Sequence, residues 1–367
     1  MMDTLTPRFA RTPFTRRNAP SCPREARVST TFPAAIDAQV VDARESGHDG
    51  EDGGARPAHL ADLAVAALAA EAELTPKPGL VDRRGAGSHA DMELDTLLAS
   101  AAALRPTFAA LAHAAEGERP SQALREALAR IGRDGETAMF AATGGVNTHR
   151  GAIFALGLIM AAAAIEGWDA AAADICATAG AIARFADGAA PVAVLNGAVA
   201  CRTYGVGGAR GEAAAGFPHA LKALEAVRDA RARGATETAA RLDGLMAAMA
   251  GLDDTCLLHR GGRRALRVAR LGARAVIASD GAATADGRAA LRALDRRLLA
   301  LNASPGGSAD MLAAALLLDA LDASRHPGRS RAESRDRLRD QAPPPDDDPG
   351  SARLTPLVRD DDADREA

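Results

Sequence analysis

Aromatic side chains are scarce in this chain: 3% of 367 residues, with a single tryptophan and a single tyrosine. A core of large rings is excluded, so Ala, Leu, Val and Ile must fill the interior. Cysteines are few and scattered. Cys22, Cys176, Cys201 and Cys256 form no C-x-x-C pair, which speaks against a structural zinc site or a disulfide framework and fits a reducing cytoplasm. Excess charge is missing as well: a net charge of −4 offers no basic field to draw nucleic acid. The longest apolar stretch, Ala152 to Ile165, falls short of a membrane span. The Arg-rich N-terminus lacks the apolar segment of a signal peptide. No run alternates with period two, and no repeat of fixed length recurs. The expectation is a cytoplasmic protein without nucleic-acid or membrane partners. Lysine is nearly absent too, found only at Lys77 and Lys222. With Ala and Gly so abundant, this reads as a base-composition bias toward arginine codons. A lysine kept inside a glycine–proline segment therefore stands out, since its compact charge differs from a guanidinium fork.

What the chain has is alanine, about a quarter of its residues and the strongest helix former. The predicted fold class is all-α: a single multi-helix globular domain over residues 57–325, flanked by disordered extensions at 1–56 and 326–367. Both ends are rich in charge, Pro and Gly and poor in periodic apolar residues. Leu60, Leu63, Ala64, Ala67 and Leu68 give the i, i+3, i+4 stripe of a buried helix face over 57–74. Further helical runs are predicted at 94–115 (broken at Pro106), 121–142 (weakened near Gly132 and Gly135) and 148–165 (capped by Asn147 or Thr148). Others follow at 170–185, 218–233, 236–250, 263–279, 287–301 and 308–323.

Four polar, glycine-rich islands interrupt this helical frame: TPKPGLVDRRGAGSHADM (Thr75 to Met92), GGVNTHRGAIF (Gly144 to Phe154), YGVGGARGEAAAGFP (Tyr204 to Pro218) and SPGGSADM (Ser304 to Met311). Glycine allows turns and close approach to a ligand, and helix starts behind such turns offer free N–H groups to anions. In the first island Pro76 and Pro78 stiffen the loop that presents Lys77. Asp82 and Asp91 near a flexible turn suit Mg²⁺–phosphate binding, and a loop with surface charges is the structural alternative. In the second, Asn147, His149 and Arg150 at a helix start suit phosphate or a base edge, against a simply capped helix with an exposed His. In the third, Arg210 and Glu212 read either as an ion pair or as phosphate ligand and base, and Tyr204 as a stacking or wall residue. In the fourth, Gly306, Gly307 and Ser308 suit an anion nest; Asp310 beside an anion would call for a bridging cation. Plain capping by Ser308 is the alternative. A fifth segment, LDDTCLLHRGG from Leu252, is read as ending a helix, with Asp254 open to metal, glycine C-capping as the alternative and Cys256 a small buried side chain.

Taken in order, TPKPGLVD, G-x-HxDM, GVNTHRG, GARGEA-x-xGFP, DDT…RGG and NxSPGGSAD resemble the triphosphoribosyl-dephospho-coenzyme A synthases, from about Leu60 to Leu321. The segment from Asp187 to Val199 matches less well. Two branches of that family serve malonate decarboxylase and citrate lyase. The spellings THRG, with Arg150, and LDDTCLLHRGG look more like the malonate branch.

The resemblance implies a transferase joining ATP to 3′-dephospho-coenzyme A. The ribose 2′-hydroxyl attacks C1 of the ATP ribose, adenine leaves and the triphosphate stays. The product is a prosthetic-group precursor, passed to a separate holo-carrier-protein transferase. An oxocarbenium-like displacement needs a carboxylate, Glu212 or Asp91, and a proton donor, His89 or His149. Lys77, Asn147, Arg150, Arg210, Gly306, Gly307 and Ser308 are expected to bind substrate. Mg²⁺ is expected on some of Asp82, Asp91, Asp254 and Asp310. A homo-oligomer is among the expectations. The rival readings are a Mg²⁺-dependent helical nucleotide N-glycosidase or phosphohydrolase, and a non-catalytic helical interaction protein.

Overall fold

The computed structural model describes residues 55–167, 169–190 and 195–325. The extensions expected to be disordered lie outside these residues, apart from Ala55 and Arg56, which already belong to the first helix. Among the described residues there are thirteen helices. They are α1 (Ala55–Glu73), α2 (Leu94–Ala103), α3 (Arg105–His113), α4 (Gln122–Ala142), α5 (Arg150–Glu166), α6 (Ala172–Ala183) and α7 (Asn196–Tyr204). Then come α8 (Gly208–Ala214), α9 (Pro218–Ala232), α10 (Glu237–Met249), α11 (Thr255–Ala278), α12 (Ala285–Ala300) and α13 (Gly306–Arg325). No strand occurs among them, only an isolated bridge between Asp82 and Gly85, so the all-α expectation holds. No helix of the described residues is long and apolar enough to cross a membrane.

Two helices form the centre. In α5 every residue from Ala152 to Ala164 except Phe154 is buried, and in α13 the run from Met311 to Leu318 is buried. A helix apolar on all sides must be surrounded by others. Accordingly α5 packs on α1, α3, α4, α6 and α13, while α13 packs on α1, α5, α9 and α10. The scarcity of rings is met as expected, because small side chains let helices approach closely. A Cβ added at Gly180 of α6 would lie 3.1 Å from Gly216 N and 3.2 Å from Ala213 O. That glycine lets α6 touch the backbone at the end of α8.

Several boundaries differ from expectation. The break in the 94–115 run falls at Leu104, two residues before Pro106, because Pro106 sits in the first turn of α3, where its missing N–H costs nothing. Helix α4 runs unbroken through Gly132 and Gly135, the latter tight against Thr107. His149, rather than Asn147 or Thr148, holds the N-cap position of α5. Helices α7 and α8 are not among the predicted runs, and α8 lies within the third glycine-rich island. Asp254 starts a helix instead of ending one: its carboxylate accepts from Cys256 N and Leu257 N. The paired glycines expected to stop that helix lie inside α11, where Gly262 kinks it at φ 61°, ψ −161°. Cys256, expected to be buried, is at the surface.

Candidate active site

The first turns of α5 and α13 meet at one end of the bundle. A Cβ added at Gly151 would lie 2.0 Å from Asp310 Oδ2, so only glycine admits that carboxylate. Asp310 makes no hydrogen bond or ion pair among the described residues. Burial, with the charges of Asp254 and Glu71, pushes its carboxyl well above the ordinary carboxylate range.

Asp254 is held hard beside it. Oδ1 accepts from Cys256 N at 2.9 Å and Leu257 N at 3.3 Å. Oδ2 accepts from Ser308 N at 2.8 Å and Ser308 Oγ at 3.0 Å. The positive end of α13, expected to be offered to a phosphate through Ser308, thus already receives a carboxylate of the protein itself. Gly306 and Gly307 serve that fit: a Cβ on Gly307 would lie 3.2 Å from Asp254 Oδ1, and one on Gly306 3.0 Å from Cys256 Sγ.

The first island folds over this end. Lys77 is only 1% exposed, and its Nζ donates at 2.7 Å to both Glu71 O and Glu71 Oε1. Two of its three ammonium protons are therefore committed inside the protein. Asp82, also buried, accepts from Lys77 N at 2.8 Å and from Arg84 N, Nε and Nη2. Ser88 Oγ donates to Ala303 O, and His89 Nε2 lies 3.0 Å from Ser304 Oγ. Arg260 of α11 donates to Ser88 O at 2.7 Å and to His89 Nδ1 at 3.0 Å. Burial and the Arg260 charge lower the His89 pKa, outweighing Asp91, whose Oδ1 is 3.6 Å away. His89 is thus neutral, with Nδ1 accepting from Arg260 and Nε2–H donating to Ser304. A hollow lined by Ala86, Ala90, Asp91, Met92, Glu93 and Thr96 opens beside the exposed Asp91.

His149 enters from the second island and is 5% exposed. Its Nδ1 is 2.8 Å from Ser100 Oγ, which also accepts from Thr148 Oγ1 at 2.6 Å. With the Thr148 proton on Ser100, the Ser100 proton goes to Nδ1, and Nε2 carries the ring proton. Nε2 is buried without a partner. Burial first, then the Lys77 charge, pushes His149 down to about 4.

Lys77, His89, His149, Asp254, Gly306, Gly307, Ser308 and Asp310 therefore gather around one end of α5, α11 and α13. The other expected residues stand apart or are otherwise engaged. Asn147 is exposed. Arg150 pairs with Glu136 at 2.8 Å and lies over Phe140. Arg210 is exposed on α8. Glu212 does not pair with Arg210; it is buried and accepts from His219 N at 2.7 Å, with His219 Nδ1 2.8 Å away. Tyr204 lies under Arg263. Reading the residues missed Ser100, a buried hydroxyl in the Ala-rich helix α2, as well as Glu71 and Arg260, whose roles only packing reveals.

Magnesium fits this donor set narrowly. No three His, Cys, Asp or Glu side chains among the described residues are placed to hold a metal ion. Asp82 and Asp254 have every lone pair engaged. Asp310 has carboxylate oxygens with no hydrogen bond among the described residues, and its pKa is raised first by burial and then by the Asp254 and Glu71 charges, which a cation would offset. Mg²⁺ commonly takes one or two carboxylates and completes its shell with water and substrate phosphates, so Asp310 is the residue that suits it.

No solved structure matches the chain. Among curated relatives, it is 55% identical over 266 residues to a Pseudomonas aeruginosa protein named "Probable 2-(5''-triphosphoribosyl)-3'-dephosphocoenzyme-A synthase", covering 72% of this chain and 91% of the relative. The Stutzerimonas stutzeri protein of the same name is 56% identical over 268 residues, covering 71% and 91%. The Klebsiella pneumoniae 2-(5''-triphosphoribosyl)-3'-dephosphocoenzyme-A synthase is 51% identical over 265 residues, covering 72% and 95%. The family model for ATP:dephospho-CoA triphosphoribosyl transferase matches residues 57–328, nearly the whole helical body that carries the gathered islands. On this evidence the chain belongs to the triphosphoribosyl-dephospho-CoA synthase family of transferases.

Proposed function

We propose that the chain joins ATP to 3′-dephospho-coenzyme A, giving 2′-(5″-triphosphoribosyl)-3′-dephospho-coenzyme A and adenine. The 2′-hydroxyl oxygen of dephospho-coenzyme A forms a bond to C1 of the ATP ribose as the C1–N9 bond breaks. The hydroxyl proton is lost to a base, adenine gains a proton, and the triphosphate stays on the 5-oxygen. The observation that carries this reading is the gathering of Lys77, His149 and Asp310 where α5 and α13 begin.

Asp91 is the better base of the two carboxylates considered, because both Glu212 oxygens are bound to His219. Glu212 positions α8 against α9. His149 Nε2–H donates a hydrogen bond to the departing adenine but keeps its proton, since the imidazole is neutral, so the proton adenine gains comes from water. His89 orders the first island through Ser304 and Arg260. Asp310 is the residue that would hold Mg²⁺, which would supply positive charge to offset that of the triphosphate. Lys77 contributes its remaining ammonium proton. Asn147, Arg150 and Arg210 reach substrate from the rim.

The THRG and LDDTCLLHRGG spellings favour supply of the malonate decarboxylase acyl-carrier subunit over citrate lyase, with the product handed to a separate transferase. A homo-oligomer in the cytoplasm completes the reading. Mass spectrometry of a reaction containing Mg²⁺, ATP and dephospho-coenzyme A tests it. The triphosphoribosyl adduct and equimolar adenine are expected, and both must vanish when dephospho-coenzyme A is omitted. Adenine or phosphate release from ATP alone would instead make the protein a hydrolase.

A further inference from the structure

Arg125 lies in the first turn of α4 and is 6% exposed. Its Nε is buried with no hydrogen-bond partner, and its guanidinium makes no hydrogen bond or ion pair among the described residues. The group rests over the Phe154 ring, 5.7 Å from the centroid. A guanidinium keeps its charge at any pH a protein meets. Burying one without a hydrogen-bonded partner is costly, and proteins ordinarily avoid it.

The surroundings are positive. Arg210 of α8 and Arg133 of α4 are close enough to repel Arg125. Asp187 is the opposing carboxylate, but it is already engaged: Oδ2 with Arg133 Nη1 at 2.7 Å and Oδ1 with Ala189 N at 3.2 Å. Glu126, the next residue on α4, accepts from Gln122. Arg210 has no partner of its own among the described residues. Phe154, the seat of Arg125, is three residues beyond Gly151 on α5. That is about 5 Å of helix rise from the Asp310 contact, well within the length of a nucleotide.

We propose that Arg125 and Arg210, one from α4 and one from α8, form a phosphate-binding position that grips a diphosphate unit of a nucleotide substrate at the edge of the α5–α13 site. Paired guanidinium forks suit phosphoryl oxygens. This deepens the synthase reading and rests on it. That reaction has two phosphate-bearing substrates, and the Asp310 end provides for one. The diphosphate comes either from ATP or from dephospho-coenzyme A.

The test uses the full-length enzyme after the wild type has been shown to make the adduct; failure at that step counts against the synthase reading alone. Arg125→Met keeps an unbranched apolar stem on Phe154, and Arg210→Ala alters an exposed residue, so it decides if Arg125→Met does not fold. Each variant is expected to raise the KM of the same substrate about tenfold or more, with kcat changed far less. A rise for ATP identifies the triphosphate as the occupant, a rise for dephospho-coenzyme A its diphosphate. Inorganic pyrophosphate should raise the melting temperature of the wild type and not of the variants. Arg130→Ala, exposed on α4, should leave both KM values unchanged. If Arg210→Ala leaves both KM values and the pyrophosphate shift at wild-type levels, the position does not exist.

Discussion

The Asp254 carboxylate accepts both the backbone N–H and the hydroxyl of Ser308, at 2.8 and 3.0 Å, while its other oxygen caps α11. One side chain thus closes the N-termini of two helices, reaching a serine 54 residues further along the chain. Asp254→Ala is expected to leave several buried donors unpaired and cost about 3 kcal/mol or more. Ser308→Ala removes a single hydroxyl bond and should cost about 1 kcal/mol. Urea unfolding of the two variants checks the ratio. Equal losses would mean that the Ser308 hydroxyl, and not the shared cap, carries the contact.

Ser100 is a positioning residue in this arrangement. Because Thr148 donates to it, it fixes the His149 tautomer with the ring proton on Nε2. Ser100→Ala should release that constraint and lower kcat about tenfold, with KM values and melting temperature little changed, since alanine is the better helix residue. The variant's pH–rate profile should also shift, because Nδ1 no longer has its donor. A variant that merely loses stability, with normal kcat in its folded fraction, would remove Ser100 from the mechanism.

Stability should record His149 as well. Its pKa is about 4 in the folded protein against an ordinary 6.5, so the unfolded chain takes up a proton that the native state refuses. Above pH 6.5 both states are neutral and the residue contributes no pH dependence. As pH falls from 6.5 to 4 the native state should lose up to about 3 kcal/mol relative to the unfolded chain, and below 4 the loss levels off. Asp254 and Asp310, with raised values, act in the opposite sense, so the useful quantity is the difference between wild type and His149→Gln. That difference, from denaturant unfolding at several pH values, should slope between 6.5 and 4. A flat difference would contradict the buried neutral imidazole.

The all-α architecture was legible because apolar residues at i, i+3 and i+4 leave few alternatives in an alanine-rich chain. Helices α7 and α8 were not. They are short, and α8 carries Gly208 and Gly211. It forms because of its neighbours: a Cβ on Gly208 would meet Cys201 Sγ at 2.6 Å, and Glu212 ties its end to His219. Such tertiary support leaves no periodic trace. At the site, the islands announced which loops matter but not which way their side chains turn. Lys77 drew attention as a rare lysine between prolines, yet its ammonium faces Glu71 inside the protein. Asp254 looked like the end of a helix because glycines follow it, and glycine is as compatible with a kink as with a stop. Arg125 carried no signal at all, since an arginine in an arginine-rich helix resembles any solvated charge.

Gly151 gives the sharpest separation of folding from function. In the first turn of a helix, Ala is favoured over Gly by about 1 kcal/mol, so Gly151→Ala should fold at least as well wherever the added methyl finds room. Here it meets Asp310 Oδ2 at 2.0 Å, and the carboxylate must swing away from α5. If Asp310 holds the Mg²⁺–triphosphate, turnover should fall about a hundredfold and the Mg²⁺ concentration for half-maximal rate should rise. The melting temperature without ligand should stay within a few degrees of wild type. Asp310→Asn should show the same fall in turnover and the same rise in the Mg²⁺ concentration needed, without the steric cause. Steady-state assays of adenine release across a Mg²⁺ titration, paired with thermal melts, measure both quantities. Normal turnover in Gly151→Ala would show that the contact between these two helix starts has no part in the chemistry.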